Sequence, residues 1–156
     1  MISQTAEYAL RAVVFLAMSD GKPNTTDQIS KGTKVPTSYL SKVMQQLGRA
    51  HIVASQRGLG GGFTLAQRPD QLTVYDVINA VDPLKRIHSC PLELPGHGTV
   101  LCALHKQLDD AMMNVEEAFK STTVEALLKN PTPSVPLCDG NGGADTGCAL
   151  APPKEP

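Results

Sequence analysis

The chain has no long apolar run, no tryptophan and no excess of charge of either sign. Its longest apolar stretch, Ala12 to Met18, is far too short for a bilayer, which calls for about 20 residues. Glu7 and Arg11 interrupt the apolar residues near the N-terminus and no small-residue cleavage site follows, so a signal peptide is not expected. The expected location is cytoplasmic, with no membrane partner. A CxxC pair and a glycine-rich phosphate loop are also lacking. Their absence weakens an enzyme reading in which Cys90 or Cys102 works with His105 as a cysteine-dependent oxidoreductase. Only four cysteines occur. In a reducing compartment such residues serve as metal ligands or redox groups more often than as structural disulfides.

A chain of 156 residues makes one ordinary domain with room for an appendage, and it buries a core without disulfides. The net charge of −1 hides an asymmetry. Residues 1–89 carry ten Lys/Arg against six Asp/Glu, a balance of +4, and residues 90–156 carry four against nine, a balance of −5. An anionic partner would therefore meet the front half.

Helical periodicity starts early: Ala6, Leu10, Val13 and Ala17 share one face of a helix from Ser3 to Ser19. "DGKPN" ends it. Thr25 followed by Gln28 is a capping-box pattern that opens a short helix over Thr26–Lys31. "GTKV" then reads as a turn. Pro36 suits the first position of a third helix running to Arg49, with Leu40, Val43, Met44 and Leu47 as its buried stripe. "HIVASQRG" and "GGFTLAQ" are β-prone runs around "RGLGGGF", a hairpin tip. His51, before the first strand, reads as structural. Thr73 and Asp76 cap a helix over Val74–Val81. A long helix is expected from Thr99 to Lys120, striped by Leu101, Leu104, Leu108, Met112, Val115 and Phe119. That is roughly 33 Å at 1.5 Å per residue, and it is the natural dimerisation element. Thr122 and Glu125 cap a last short helix. The Pro-, Gly- and Ala-rich remainder reads as disordered.

These elements predict a mainly α fold with a small β-hairpin wing: a winged helix-turn-helix followed by a long dimerisation helix. The expected divisions are a DNA-binding unit over 1–82, a sensor loop over 83–98, the dimerisation and short helices over 99–130, and a tail over 131–156. The face of the third helix opposite its buried stripe carries Thr37, Ser38, Ser41, Lys42, Gln45 and Arg49. Such side chains reach base edges and phosphates in a major groove. Tyr39 flanks them and can donate to a phosphate. Arg57 stands at the wing tip beside Gly58 and Gly60, where backbone can approach the sugar-phosphate surface and a lone cation suits the narrow minor groove. A solvated helix face is also merely polar, so it is the wing and the basic front half that turn the balance toward DNA.

"AEYALRAVVFLA", "VPTSYLSKVMQQL", "VASQRGLGGGFTLAQ" and "LTVYDVINAV" together resemble the Rrf-two family of bacterial transcription regulators, over most of residues 1–130. The resemblance implies a homodimer on two-fold operator DNA, with the long helix joining the protomers. It also implies a sensor site. Cluster-binding members of the family carry three cysteines between the fourth helix and the long helix. Cys90 and Cys102 keep the spacing of the outer two, twelve positions apart, whereas the middle place falls at Gly96, beside His97. His105 matches a histidine that ligates the cluster in some members. Glu7 matches a carboxylate position from which the partner protomer completes the cluster in others. In a further variant Glu7 matches again, but the accompanying histidine's place is held by Arg11, which cannot coordinate a metal.

The residues themselves suit an anionic or metal-bound site. Cys102, expected in the first turn of the long helix, gains from the helix dipole as a thiolate. His105, three residues on, shares its face. Pro91, Pro95, Gly96 and Gly98 shape a loop that could bring Cys90 back to it. Several readings stay open. One is an iron–sulfur cluster, foremost of the 2Fe–2S type, on Cys90, Cys102, His105 and Glu7 or His97. Others are zinc on Cys90, His97, Cys102 and His105, a metal-free thiol switch, and a site that has lost its cluster. Cys138 and Cys148 are alternative ligand donors or tail thiols without a role.

Overall fold

The computed structural model describes residues 2–92, 100–129 and 136–137. Within them run α1 (Gln4–Met18), α2 (Thr26–Thr33), α3 (Thr37–Arg49), β1 (Val53–Gln56), β2 (Gly62–Leu65), α4 (Val74–Val81), α5 (Ala103–Ser121) and α6 (Val124–Lys129). The helix ends have local causes. Ser3 Oγ accepts from Ala6 N–H, and both capping boxes expected from the sequence, Thr25 with Gln28 and Thr73 with Asp76, are formed. Each satisfies two of the backbone donors that a helix start leaves open.

α1 is the centre of the fold and packs on α2, α3, α4, α6 and β2. Ala6, Ala9 and Ala12 are fully buried on it. Side chains this small let neighbouring backbones come close. Around them lie Ile29, Leu40, Met44, Leu47, Leu72, Val77, Ile78 and Val124, all essentially without solvent contact. The apolar stripe foreseen for α3 faces this core in full.

β1 and β2 form an antiparallel hairpin with Val53 opposite Leu65 and Gln56 opposite Gly62. Asn24 adds a third rung, exchanging two backbone hydrogen bonds with Phe63 (3.0 and 2.8 Å). The wing is thereby stitched to the segment entering α2. Gly62 permits this, since a Cβ there would sit 2.5 Å from the Asn24 carbonyl oxygen. Gly62→Ala is expected to cost about 1–3 kcal/mol, the range for forcing atoms into a packed contact. Urea unfolding of the variant checks it.

Four sequence expectations shift. α2 continues through Gly32 to Thr33, and the chain turns at Lys34, whose φ of 56° is left-handed. Within that helix the position takes glycine because Phe15 packs where a Cβ would stand. Pro36 is the N-cap of α3 and not its first residue; extended there, its carbonyl accepts from Tyr39 and Leu40 N–H. The long helix starts at Ala103 and not at Thr99, with Cys102 as its N-cap. Thr123, not Thr122, caps α6, its hydroxyl accepting from Ala126 N–H at 3.1 Å. The reason is tertiary: Thr73 and Thr123 form a β-bridge, and Val124 N–H donates to Leu72 O. This pairing pins α6 to the entrance of α4.

α5 packs chiefly on α4 and has no buried residue. Of its stripe, Leu104, Leu108 and Val115 are exposed, while Phe119 leans on the core. Among the described residues no helix is long and apolar enough to cross a membrane. The tail expected to be disordered lies outside the described residues, apart from Pro136 and Leu137.

Candidate nucleic-acid interface and thiol–imidazole site

α2 and α3, joined by the left-handed Lys34, form the helix pair of a helix-turn-helix. Thr37, Ser38, Tyr39, Ser41, Lys42, Gln45 and Arg49 all lie exposed on α3. Two of them are tied locally: Thr37 Oγ1 donates to Ser30 Oγ, and Ser41 Oγ to the Thr37 carbonyl. The Tyr39 ring meets Tyr8 of α1 edge-on, with centroids 6.1 Å apart. Among the described residues no side-chain hydrogen bond or ion pair engages Lys42, Gln45, Arg49 or Arg57. These groups are free to bind an external anion.

At the wing tip, Gly61 N–H donates to Gly58 O at 2.9 Å and Gly60 has φ 77°. This is the hydrogen bond and the positive φ of a tight turn that demands glycine at its third position. The turn exposes Arg57 and sets Leu59 fully in solvent at the apex. Leu59 was not singled out in the sequence, where one leucine among glycines carries no signal.

The second site lies between the loop after α4 and the start of α5. Cys90 is buried and Cys102 half-buried. Both thiols meet one imidazole: Cys90 Sγ is 3.9 Å and Cys102 Sγ 3.4 Å from His105 Nδ1. Cys102 and His105 hold the N-cap and third positions of α5, the places used by a capping box. No side-chain cap hydrogen bond forms there.

Two sulfurs and an imidazole are donors suited to iron or zinc. They crowd on one nitrogen, however, and do not surround an open centre. Among the described residues no group of three or more His, Cys, Asp or Glu side chains is arranged to hold a metal ion. Glu7 is on α1, where Arg11 holds its carboxylate through Nε at 3.0 Å and through Nη2. Arg11 also donates to the Thr33 carbonyl at the end of α2. His97, Gly96, Cys138 and Cys148 lie outside the described residues.

An ion-pair clamp that sequence reading missed stands beside the thiols. Arg86, in the loop after α4, grips Asp109 of α5 with Nε on Oδ1 (2.6 Å) and Nη2 on Oδ2 (2.7 Å). Ile87 N–H also donates to Asp109 Oδ1, at 2.9 Å, and Arg86 Nη1 reaches Glu116 at 3.4 Å. The Arg86 hydrogen bonds, then that of Ile87, hold the Asp109 carboxyl far below the usual carboxylate range. Lys120 foremost, then Arg86, lowers Glu116. Arg86 and Asp109 are 23 residues apart, and no periodicity links them.

Comparison with known proteins agrees with this architecture. The family model Rrf2, described as an iron-dependent transcriptional regulator, matches residues 2–130. The chain is similar to the HTH-type transcriptional regulator IscR of Sodalis glossinidius (strain morsitans), at 30% identity over 130 residues, 83% of this chain and 79% of that one. Its fold is similar to that of CymR, the global cysteine regulator of B. subtilis, with TM-score 0.68 and 27% identity over 81% of this chain and 95% of CymR. T. potens IscR superposes with TM-score 0.69 at 23% identity, covering 85% of this chain and 88% of that one. A winged helix-turn-helix with a long helix behind it, matched by the family model along nearly all its length, makes this chain a member of the Rrf2 family of transcriptional regulators.

Proposed function

We propose that the chain acts as a homodimeric repressor whose affinity for operator DNA is set by an iron–sulfur cluster of the 2Fe–2S type. Cys90, Cys102 and His105 of one protomer hold the cluster, and Glu7 on the partner's α1 completes it. The observation that carries this reading is the approach of both thiols to His105 Nδ1. When bound, the group supplies a one-electron redox centre, and histidine ligation raises its potential. The chain's own residues do the rest. α3 and the wing bind DNA through Lys42, Gln45, Arg49 and Arg57, and the exposed Leu104, Leu108 and Val115 join two copies along α5. A change at residues 83–98 moves α5 against the DNA-binding unit and alters the separation of the two α3 helices. The effector shifts that equilibrium only by its differential affinity for the two states, about 1–3 kcal/mol in typical couplings.

A second reading, a metal-free thiol switch, is favoured by the absence of a ready metal group among the described residues and by the likeness to a cysteine regulator. Cys90 and Cys102 would then form a disulfide, giving two protons and two electrons to a peroxide, whose O–O bond breaks to leave two waters from hydrogen peroxide or an alcohol and a water from an alkyl hydroperoxide. His105 would take the proton that frees the attacking thiolate.

Anaerobic isolation separates these readings. The cluster reading expects coloured protein with iron and sulfide in equal amounts and operator affinity that changes on cluster loss. Colourless protein after reconstitution, lacking iron and sulfide, overturns it. Zinc in their place identifies a Cys/His zinc site. A peroxide-dependent loss of two titratable thiols supports the switch.

A further inference from the structure

Cys90 lies in a stretch, residues 83–92, that belongs to no helix or strand. Its sulfur meets His105 of α5, and the same stretch is tied to α5 by a second set of bonds. Asp109 stands four residues after His105, one turn along the same face of α5. Its two oxygens receive three hydrogen bonds from Arg86 and Ile87. Glu116, two turns further, takes the remaining arm of the guanidinium. The face that carries His105 therefore also fixes the loop, four residues before Cys90. The other end of the loop is tied to the DNA-reading helix: Gln46 Nε2 of α3 donates to the Val81 carbonyl at the end of α4, at 3.4 Å.

We infer that Arg86 and Asp109 are positioning residues for the thiol–imidazole site. Their clamp holds Cys90 at His105 and joins movement of α5 to the segment that Gln46 anchors to α3. The inference rests on the proposed sensor role of that site, while its geometric half stands without a metal. A planar fork on a carboxylate sets direction as well as distance, which a lysine ammonium does not.

The test uses the full-length chain, metal-free and reduced, with Arg86→Gln, Arg86→Lys and Asp109→Asn. Two readouts are taken on each: the rate of Cys90 alkylation by a maleimide, followed by peptide mass, and the sulfur-to-cobalt charge-transfer band on titration with cobalt(II). Arg86→Gln and Asp109→Asn should each raise the Cys90 rate at least tenfold at unchanged far-ultraviolet circular dichroism. They should also weaken cobalt binding by about 10–100-fold, the usual effect of losing groups that orient ligands. Arg86→Lys should fall between them and wild type. Unchanged Cys90 reactivity in both Arg86→Gln and Asp109→Asn overturns the inference. Absence of a cobalt band in the wild type overturns the metal reading alone, and the alkylation rates still decide the clamp. Should Arg86→Gln unfold, Asp109→Asn, which keeps the side chain's volume, decides it.

Discussion

Replacing Cys102 with alanine is expected to abolish metal or cluster binding while leaving the fold intact. Cys102 is the N-cap of α5 yet makes no side-chain cap hydrogen bond, so the helix loses no capping interaction. It is half-buried and outside the core cluster, so the cavity left is small and open to water. The loss falls on the donor set. Cys102 Sγ is the nearer of the two sulfurs to His105 Nδ1, and the proposed set of four donors does not tolerate the removal of one. Disturbing outer-shell partners alone costs about 10–100-fold in metal affinity, so losing a ligand costs more than about 100-fold. Iron and sulfide analysis after anaerobic reconstitution checks the result, with circular dichroism as the control. Full cluster occupancy in the variant would remove Cys102 from the ligand set. Cys90→Ala makes a poorer first test, because Cys90 is buried and its removal disturbs packing as well as ligation.

The Lys42→Ala, Arg57→Ala double variant is expected to show the second large effect, confined to DNA. Among the described residues neither side chain has a hydrogen-bond or ion-pair partner, so their removal leaves stability within about 0.5 kcal/mol. In a dimer the variant removes four cations from the DNA surface. Each phosphate neutralised contributes about 0.9 to the slope of log K against log salt, so the slope should fall by about 3.6. With affinities converging near 1 M salt, that slope change amounts to about a 1,000-fold loss at about 0.15 M. Titrating labelled operator at several salt concentrations measures both quantities. An unchanged slope would place the phosphate contacts elsewhere on the molecule.

Much of the fold was legible locally. The Thr25–Gln28 and Thr73–Asp76 boxes announce their helices because the cap and the residue it serves are three positions apart. The stripe on α3 emerges from its period, and the same period assigns Lys42, Gln45 and Arg49 to the water-facing side. The glycines of "RGLGGGF" mark the wing because only glycine fits that turn and the close approach to Asn24. Less legible were features made by two distant segments. Gly32 looks like a turn residue until Phe15 is seen to occupy its side-chain space. Thr122 looks like a cap until the Thr73–Thr123 bridge moves the cap along by one.

The thiol–imidazole site divides in the same way. That Cys102 and His105 share one helix end was readable from their spacing of three, and the family resemblance set Cys90 beside them; the structure brings both sulfurs to His105 Nδ1. How Cys90 arrives there was not readable. The loop that carries it has no period, and its register comes from an arginine and an aspartate 23 residues apart. Hydrophobic periodicity and capping are properties of neighbours in the chain, so the sequence alone determined the helices, the wing and the exposed polar face of α3. The place where the loop meets α5 depends on which charges face each other after folding, and only the tertiary structure decided that.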